Sequence, residues 1–219
     1  MRIVTMCIVL TLCTAANADR EAPNRTCVFA SSSGYIYARS EPRDYHGTVG
    51  VTKIYRAASD SLICEFPWYT NQLYLYQLGN DVAIVRRGLW PQGRKANSES
   101  LALEFYLNDQ LLKRYSTLDI AVVPDNVSAS VSHHRVFGLI HGFRVRVPLP
   151  AEAQAPDDAD KTKEPRVRRT PREVFFEVQT IDGRLLIFDL WKGEQVTEQQ
   201  AGALTEPRVR ASRIPARQD

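Results

Sequence analysis

Apolar residues recur at every second position along much of this chain, and that spacing most constrains its fold. Leu101, Leu103 and Phe105 would lie on one side of an extended segment, with Ala102 and Glu104 on the other. Side chains alternate between the two faces of a β-strand, whereas a helix needs a period near 3.6 residues. No long segment of the sequence shows the helical period. The sequence therefore predicts an all-β protein.

Short turn motifs separate the alternating segments. The clearest are an Asp-Gly pair at 182–183, an Asn-Asp pair at 108–109 and a turn at 78–81. Each lies between two apolar runs, which is the pattern of a tight β-hairpin. Consecutive hairpins form an antiparallel meander. With roughly nine or ten strands, we expect that meander to make a two-layer sandwich or an open barrel.

One short segment departs from the strand pattern. Ser116 is followed three residues later by Asp119, an arrangement typical of the start of a helix. A helix cannot continue easily into Pro124, because proline restricts the residue before it. We therefore predict a single helical turn between two β-rich parts.

The first 18 residues have the pattern of a secretory signal peptide. A positive start at 1–2 is followed by an apolar segment at 3–13 and a small-x-small cleavage motif at 16–18. The apolar segment is too short to cross a bilayer, and no other run is long enough. We predict a secreted or periplasmic chain that begins at Asp19 and has no transmembrane segment. The alternative is an uncleaved anchor or a buried first strand.

Two cysteines, Cys27 and Cys64, remain once this leader is removed. Cysteines commonly pair in an oxidising compartment. We therefore expect a disulfide between Cys27 and Cys64. The alternative is a pair of separate buried thiols.

The composition divides the mature chain into four parts. Residues 19–148 hold most of the strand pattern and are predicted to form a β-rich domain. Residues 149–172 are rich in proline and charge, which predicts a linker or an exposed loop. A hairpin at 173–193 is expected to complete the domain. The polar segment 194–219 is expected to be a disordered tail.

The charge of the chain argues against one class of partner. Its formal net charge is only +3, a surplus too weak for a dedicated nucleic-acid-binding protein. Positive charge is concentrated in two copies of Glu-Pro-Arg-Val-Arg, at 164–168 and 206–210. These segments could contact an anionic polymer by charge alone.

The sequence lacks the common motifs of enzymes. It has no Gly-x-Ser-x-Gly turn, no His-Glu-x-x-His helix and no glycine-rich phosphate loop. His133 and His134 are adjacent and would point to opposite faces of a strand, so they do not suggest a metal site. We predict no catalytic residue, no metal site and no cofactor. The carboxylates considered lack the spacing of an acid–base pair; they are Glu65, Glu104, Glu177 and Asp189.

Aromatic residues cluster between positions 68 and 90. Tyr74 and Tyr76 alternate with Leu73 and Leu75, so the tyrosines face outwards if the leucines face the core. Exposed rings can stack on sugars or contact a peptide, with Arg86, Arg87 and Arg94 as a hydrogen-bonding rim. The alternative is that the rings only stabilise the sheet by packing across strands. The predicted ligand-binding residues are Trp68, Tyr69, Tyr74, Tyr76, Arg86 and Trp90.

Four segments carry a resemblance. They are the Gly-Leu-Trp element at 88–90, the hairpin at 101–116, and the segments at 131–135 and 180–194. Together they resemble a family of secreted bacterial β-rich proteins. In this chain Asn-Asp at 108–109 stands where that family has Asp-Gly. The family has no established activity, so the resemblance implies no catalytic residue.

These features favour a non-enzymatic protein that binds a glycan or an envelope protein through an aromatic sheet face. One alternative is a carbohydrate-active hydrolase whose carboxylates the fold brings together. Another is a structural component of an envelope assembly that uses the arginine-rich segments. A cavity holding two carboxylates would favour the hydrolase, and an exposed row of rings would favour the binding protein.

Overall fold

A computed structural model describes residues 23–146, 173–201 and 213–214. The described residues are mostly β-strands in antiparallel sheets, and no barrel closes among them. The prediction of an all-β fold is confirmed. The predicted signal peptide at 1–18 and the predicted linker at 149–172 lie outside the described residues.

Three sheets contain most of the strands. The first consists of β1 (Cys27–Ala30), β2 (Ile36–Pro42), β3 (Gly50–Arg56) and β4 (Ser61–Phe66), in that order. The central sheet consists of β5 (Leu73–Leu78), β6 (Asp81–Arg87), β7 (Leu101–Leu107) and β8 (Gln110–Ser116). Helix α1 (Thr117–Ala121) and a two-stranded ribbon of β9 (Ser128–Ala129) and β10 (His134–Arg135) follow. The third sheet consists of β11 (Phe137–Arg146), β12 (Glu173–Thr180), β13 (Leu185–Asp189) and β14 (Gln195–Val196).

The end of the described chain adds two short elements. Helix α2 (Glu198–Ala201) follows the third sheet, and β15 (Arg213–Ile214) pairs with β1 at the edge of the first sheet. The buried Ala201 packs against Phe175 and Ile187 on the outer face of the third sheet. The described part of 194–219, where the sequence predicts a disordered tail, thus contains regular structure.

The central sheet is covered on both of its faces. On β6, Val82 and Ile84 belong to a core shared with the first sheet, whereas Ala83 and Val85 belong to a core shared with the third sheet. Residues 82–86 of this strand are all buried. The predicted sandwich is therefore present with a third layer added to it.

Aromatic rings fill the core between the central and third sheets. Phe105 of β7 lies 5.0 Å from Phe188 of β13, measured between ring centroids. Phe143 and Phe176 lie 5.4 Å apart on neighbouring strands of the third sheet. Such tilted ring pairs stabilise a core beyond the apolar area that they bury.

The predicted helical turn is confirmed as α1. The Ser116 hydroxyl accepts a hydrogen bond from the backbone N–H of Asp119, 3.1 Å long, and the Asp119 carboxylate accepts one from the Ser116 N–H, 2.7 Å long. This reciprocal arrangement satisfies two N–H groups that have no partner within a helix. It sets the direction of the chain as it leaves β8.

The predicted disulfide is not present, since Cys27 and Cys64 are both free, buried thiols. Cys27 lies in β1 and Cys64 in β4, with β2 and β3 between them. Three strand spacings amount to about 14 Å, whereas the Cα atoms of a disulfide lie about 4.4–6.8 Å apart. The fold instead contains two separate buried thiols, which was the alternative.

Candidate ligand-binding cleft

A cleft of about 440 Å³ opens at one end of the central sheet. Its walls come from chain segments that are distant in sequence but meet where β6 ends and the β9–β10 ribbon crosses. The cleft is formed by residues 71–72, 87–91, 101–102, 117, 128–130 and 133–137. We refer to it below as the cleft.

Gly88 allows the chain to leave β6 against the neighbouring strand. A Cβ atom at this position would lie 1.8 Å from the carbonyl oxygen of Leu101. That contact is impossible for any residue with a side chain, because the obstacle is backbone. The Gly88 N–H also donates a 3.0 Å hydrogen bond to the Ala102 carbonyl. This close approach directs the following residues into the wall of the cleft.

Trp90 lines the cleft and is 39% exposed. Its backbone has a φ of +40°, a conformation uncommon for a bulky residue. The ring meets that of His133 edge to face, with centroids 5.4 Å apart. Strained backbone of this kind is concentrated at functional sites, which makes Trp90 a candidate for contact with a ligand.

His134 has a structural role behind this wall. Its side chain is buried, and its N–H donates a 3.0 Å hydrogen bond to the Pro91 carbonyl. The ring Nδ1 donates to the Gly93 carbonyl at 3.1 Å, because a carbonyl oxygen can only accept. The ring Nε2 lies 3.1 Å from the Thr117 hydroxyl. His134 thus ties the 91–93 segment to α1.

Arg87 places a guanidinium group in the wall of the cleft. The side chain is half-buried; it donates to Gln72 Oε1, and its Cζ lies 5.5 Å from the centroid of the Phe137 ring. Burial lowers the pKa of Arg87 from its ordinary value, and the positive charge of Arg135 lowers it further. No described carboxylate lies within ion-pair distance of either arginine.

The remaining lining is polar but not acidic. Asn71 Oδ1 is buried and has no hydrogen-bond partner among the described residues. The described residues that line the cleft include no Asp or Glu, so they offer no acid–base pair. Nor does the described part of the chain contain a group of three His, Cys, Asp or Glu residues that could hold a metal ion.

A second cavity of about 360 Å³ adjoins the cleft. It shares Asn71, Gln72, Arg87 and Phe137 with the cleft and extends along β5 and β11. Among its described lining residues, too, there is no Asp or Glu. Arg87 therefore stands between two spaces in which no described residue supplies a negative charge.

The structure does not place the six predicted ligand-binding residues on one exposed face. Trp68, Tyr69 and Arg86 are buried. Trp68 and Arg86 lie between the first and central sheets, where the Arg86 Cζ stands 4.3 Å from the Trp68 ring centroid. The Tyr69 hydroxyl donates a 2.8 Å hydrogen bond to the Arg25 carbonyl. None of these three lines the cleft or the second cavity.

The sequence predicted that Tyr74 and Tyr76 face outwards, but in the structure they do not. Their rings lie 5.1 Å from Phe176 and 5.2 Å from Phe143, respectively, in the core shared with the third sheet. The prediction of an outward face is wrong because both faces of β5 are covered. Tyr74 lines the second cavity and Trp90 lines the cleft, so their contact with a ligand stays a prediction.

Arg86 belongs to a buried polar cluster, formed with Glu104, Tyr106 and Trp68, and the exposed Arg114 lies 3.7 Å from Glu104 Oε1 at its edge. Arg86 Nη1 lies 2.9 Å from Glu104 Oε2, and the Tyr106 hydroxyl donates to the same oxygen at 2.8 Å. Burial, together with that hydrogen bond, raises the pKa of Tyr106 to about 12. The charges of this cluster compensate each other within the fold.

Sequence reasoning missed His133, Arg135, Asn71 and Gln72 as cleft residues, and it gave Arg87 only a place at the rim. The alternation of side chains does separate Arg86 from Arg87, since consecutive strand residues point to opposite faces. The local sequence gives no signal that the 128–137 segment crosses the end of β6.

Comparison of the chain with protein-family models, with curated proteins and with solved structures finds no match. The resemblance to a secreted bacterial β-rich family therefore stays a prediction. In the described part of the chain, no helix has the length and apolar character needed to cross a membrane.

Proposed function

We propose that the protein is a non-enzymatic, exported binding protein whose cleft binds a glycan, with Trp90 as the stacking surface. The observation that carries this proposal is the half-exposed indole of Trp90, held at a positive φ beside a cleft of about 440 Å³. An amphipathic indole can cover the apolar face of a sugar ring while polar neighbours bind its hydroxyl groups.

Polar groups of the kind that bind sugar hydroxyls line the same cleft as Trp90. The buried Asn71 Oδ1 lacks a partner among the described residues and can accept a hydrogen bond from a hydroxyl group. Ser128 and Ser130 also line the cleft; the Ser130 hydroxyl already donates to the His133 carbonyl at 3.1 Å and can still accept a hydrogen bond. A cleft with an aromatic wall and a few polar groups is typical of small-ligand sites.

The hydrolase alternative has less support. A glycosidase needs two carboxyl groups that flank the bond to be cleaved, and no described residue that lines the cleft carries one. The buried Glu104 and Glu177 each bind an arginine, Arg86 at 2.9 Å and Arg144 at 2.7 Å, in different sheets. The two carboxylates therefore do not form a pair.

A glycan array that includes cell-wall fragments tests the proposal on the full chain. We expect at least one class of glycan to bind, and Trp90→Ala to weaken that binding tenfold or more through loss of the stacked ring. Trp191→Ala is the matched control, because Trp191 is similarly exposed, at 37%, and lies outside the cleft. Binding to no glycan, or equal binding by Trp90→Ala and wild type, would overturn the proposal.

Export is tested separately, because the leader pattern alone supports it. We expect N-terminal sequencing of protein recovered outside the cytoplasm to begin at Asp19. Exported material that begins at Met1 would contradict the cleavage.

A further inference from the structure

Resting on the proposed function, we infer that the glycan of the cleft is acidic and that Arg87 and Arg135 bind its anionic groups. A carboxylate or a sulfate on the sugar ring would supply the counter-charge that the walls lack. Stacking on Trp90 alone does not distinguish an acidic sugar from a neutral one.

Two other arginines that are largely shielded from solvent show what Arg87 lacks. Arg86 binds Glu104 at 2.9 Å, and Arg144 binds Glu177 at 2.7 Å. Among the described residues, the Arg87 guanidinium contacts the amide oxygen of Gln72 and the ring of Phe137 but no carboxylate. Removing a guanidinium from water without a negative partner is costly. An anionic ligand would remove that cost when it binds.

Arg135 adds a second positive charge to the same wall. It lies in β10, opposite Ser128 in the β9–β10 ribbon, and its side chain is exposed. No described carboxylate forms an ion pair with it. Two guanidinium groups in a cleft without acidic residues attract anions, because low-dielectric walls focus the field of fixed charges. The planar guanidinium also matches the geometry of a carboxylate or a sulfate.

The second cavity indicates the length of the ligand. It adjoins the cleft at Arg87, and likewise none of its described lining residues is acidic. One guanidinium therefore borders two spaces, of about 440 and 360 Å³. This arrangement favours an acidic oligosaccharide, with rings on both sides of Arg87, over a single sugar.

Calorimetric titration of the full chain with matched oligosaccharides tests the inference. The first pair is trigalacturonate and its methyl ester, which differ in the charge of the ring carboxylates. The second pair is a sulfated oligosaccharide and its unsulfated form, which distinguishes sulfate from carboxylate as the anion. We expect the charged member of at least one pair to bind tenfold or more tightly than the neutral member, and its affinity to fall as salt is added.

Arginine variants locate the effect. We expect Arg87→Gln and Arg135→Gln each to reduce binding of the charged member about tenfold, and to leave binding of the neutral member unchanged. Arg56→Gln is the matched control, since Arg56 is exposed and lies outside both cavities. The inference is overturned if no charged probe binds better than its neutral partner, or if Arg87→Gln and Arg135→Gln behave like Arg56→Gln.

The two proposals fail in different ways. If Trp90→Ala abolishes glycan binding while charged and neutral members bind equally, the acidic ligand is wrong and the binding cleft stands. If Trp90→Ala leaves all glycan binding intact, the binding cleft is itself wrong.

Discussion

Arg86 and Arg87 are neighbours in sequence at the end of β6, yet they lie in two different regions of the molecule. Arg86 points into the buried polar cluster between the first and central sheets, where Glu104 neutralises it at 2.9 Å. Arg87 points to the opposite face and lines the cleft, where no described carboxylate neutralises it. The two residues share an element and a chemical type, so they differ mainly in their surroundings.

This difference separates a charge that serves the fold from one that is available to a ligand. A buried ion pair fixes the positions of its two side chains but adds little to the net stability of the protein. Removing one partner is strongly destabilising, because the other charge is then buried without a partner. A guanidinium without such a partner contributes even less to the fold. Its place in the wall of a cavity is better explained by recognition.

Arg86→Met gives the largest expected effect on stability. We expect the free energy of unfolding to fall by up to about 3–5 kcal/mol, because the buried Glu104 would keep only its 3.7 Å contact with the exposed Arg114. Urea denaturation with an unchanged m-value measures this loss. The double variant Arg86→Met, Glu104→Leu should recover most of it, since both buried charges are then absent. A loss below about 1 kcal/mol in the single variant would mean that Arg114 or water replaces Arg86 as the partner of Glu104.

Tyr76→Ala tests whether the second face of β5 is core. We expect a loss of about 2–3 kcal/mol, because the ring packs against Phe143 and its removal leaves a cavity. Tyr35→Ala is the control, as Tyr35 is 69% exposed and should change stability by no more than about 0.5 kcal/mol. Thermal melting compares the two. Equal melting temperatures would show that Tyr76 faces solvent.

The pH dependence of stability should show the burial of Tyr106. Its pKa is raised from 10.0 to about 12 in the folded protein, so this contribution to stability is complete below pH 10. It is lost as the pH rises towards 12, because the unfolded chain releases this proton first. Urea denaturation at a series of alkaline pH values measures the slope. The decline should be smaller in Tyr106→Phe, and an equal decline would contradict the assignment.

Arg87→Gln gives the smallest expected effect on stability. We expect a change within about 0.5 kcal/mol, since the variant loses one hydrogen bond but also removes an uncompensated charge. The measurement is the same urea titration that is used for Arg86→Met. A loss of several kcal/mol would show that Arg87 serves the fold as Arg86 does.

The hairpins could be predicted from the sequence because each is encoded locally. The alternation at 101–107 and the Asn-Asp turn correspond to β7 and β8, and Asn108 adopts a φ of +56° there. Asparagine tolerates this conformation better than most residues. The capping pair Ser116 and Asp119 is local in the same sense. Such signals need no knowledge of the rest of the chain.

The cleft could not be predicted in this way, because distant segments build it. Alternation shows that a strand has two faces, but not whether a second sheet covers the other face. Alternation with Leu73 and Leu75 favoured a solvent-facing interpretation of Tyr74 and Tyr76, but the third sheet covers that face. The prediction of a disulfide was wrong for a similar reason. Two strands lie between the strands of Cys27 and Cys64, and the distance between the cysteines in sequence does not show this.

The strands of the central sheet follow one another in sequence, from β5 to β8. Its pairings are therefore local contacts, which form quickly because little chain entropy is lost in closing short loops. The cores on its two sides have no residue in common. A meander of this kind can act as a template on which the earlier and the later parts of the chain assemble independently. The cleft needs both the meander and the 128–137 segment. It is therefore completed only when the core between the central and third sheets has formed, because Val136 and Phe137 belong to that core.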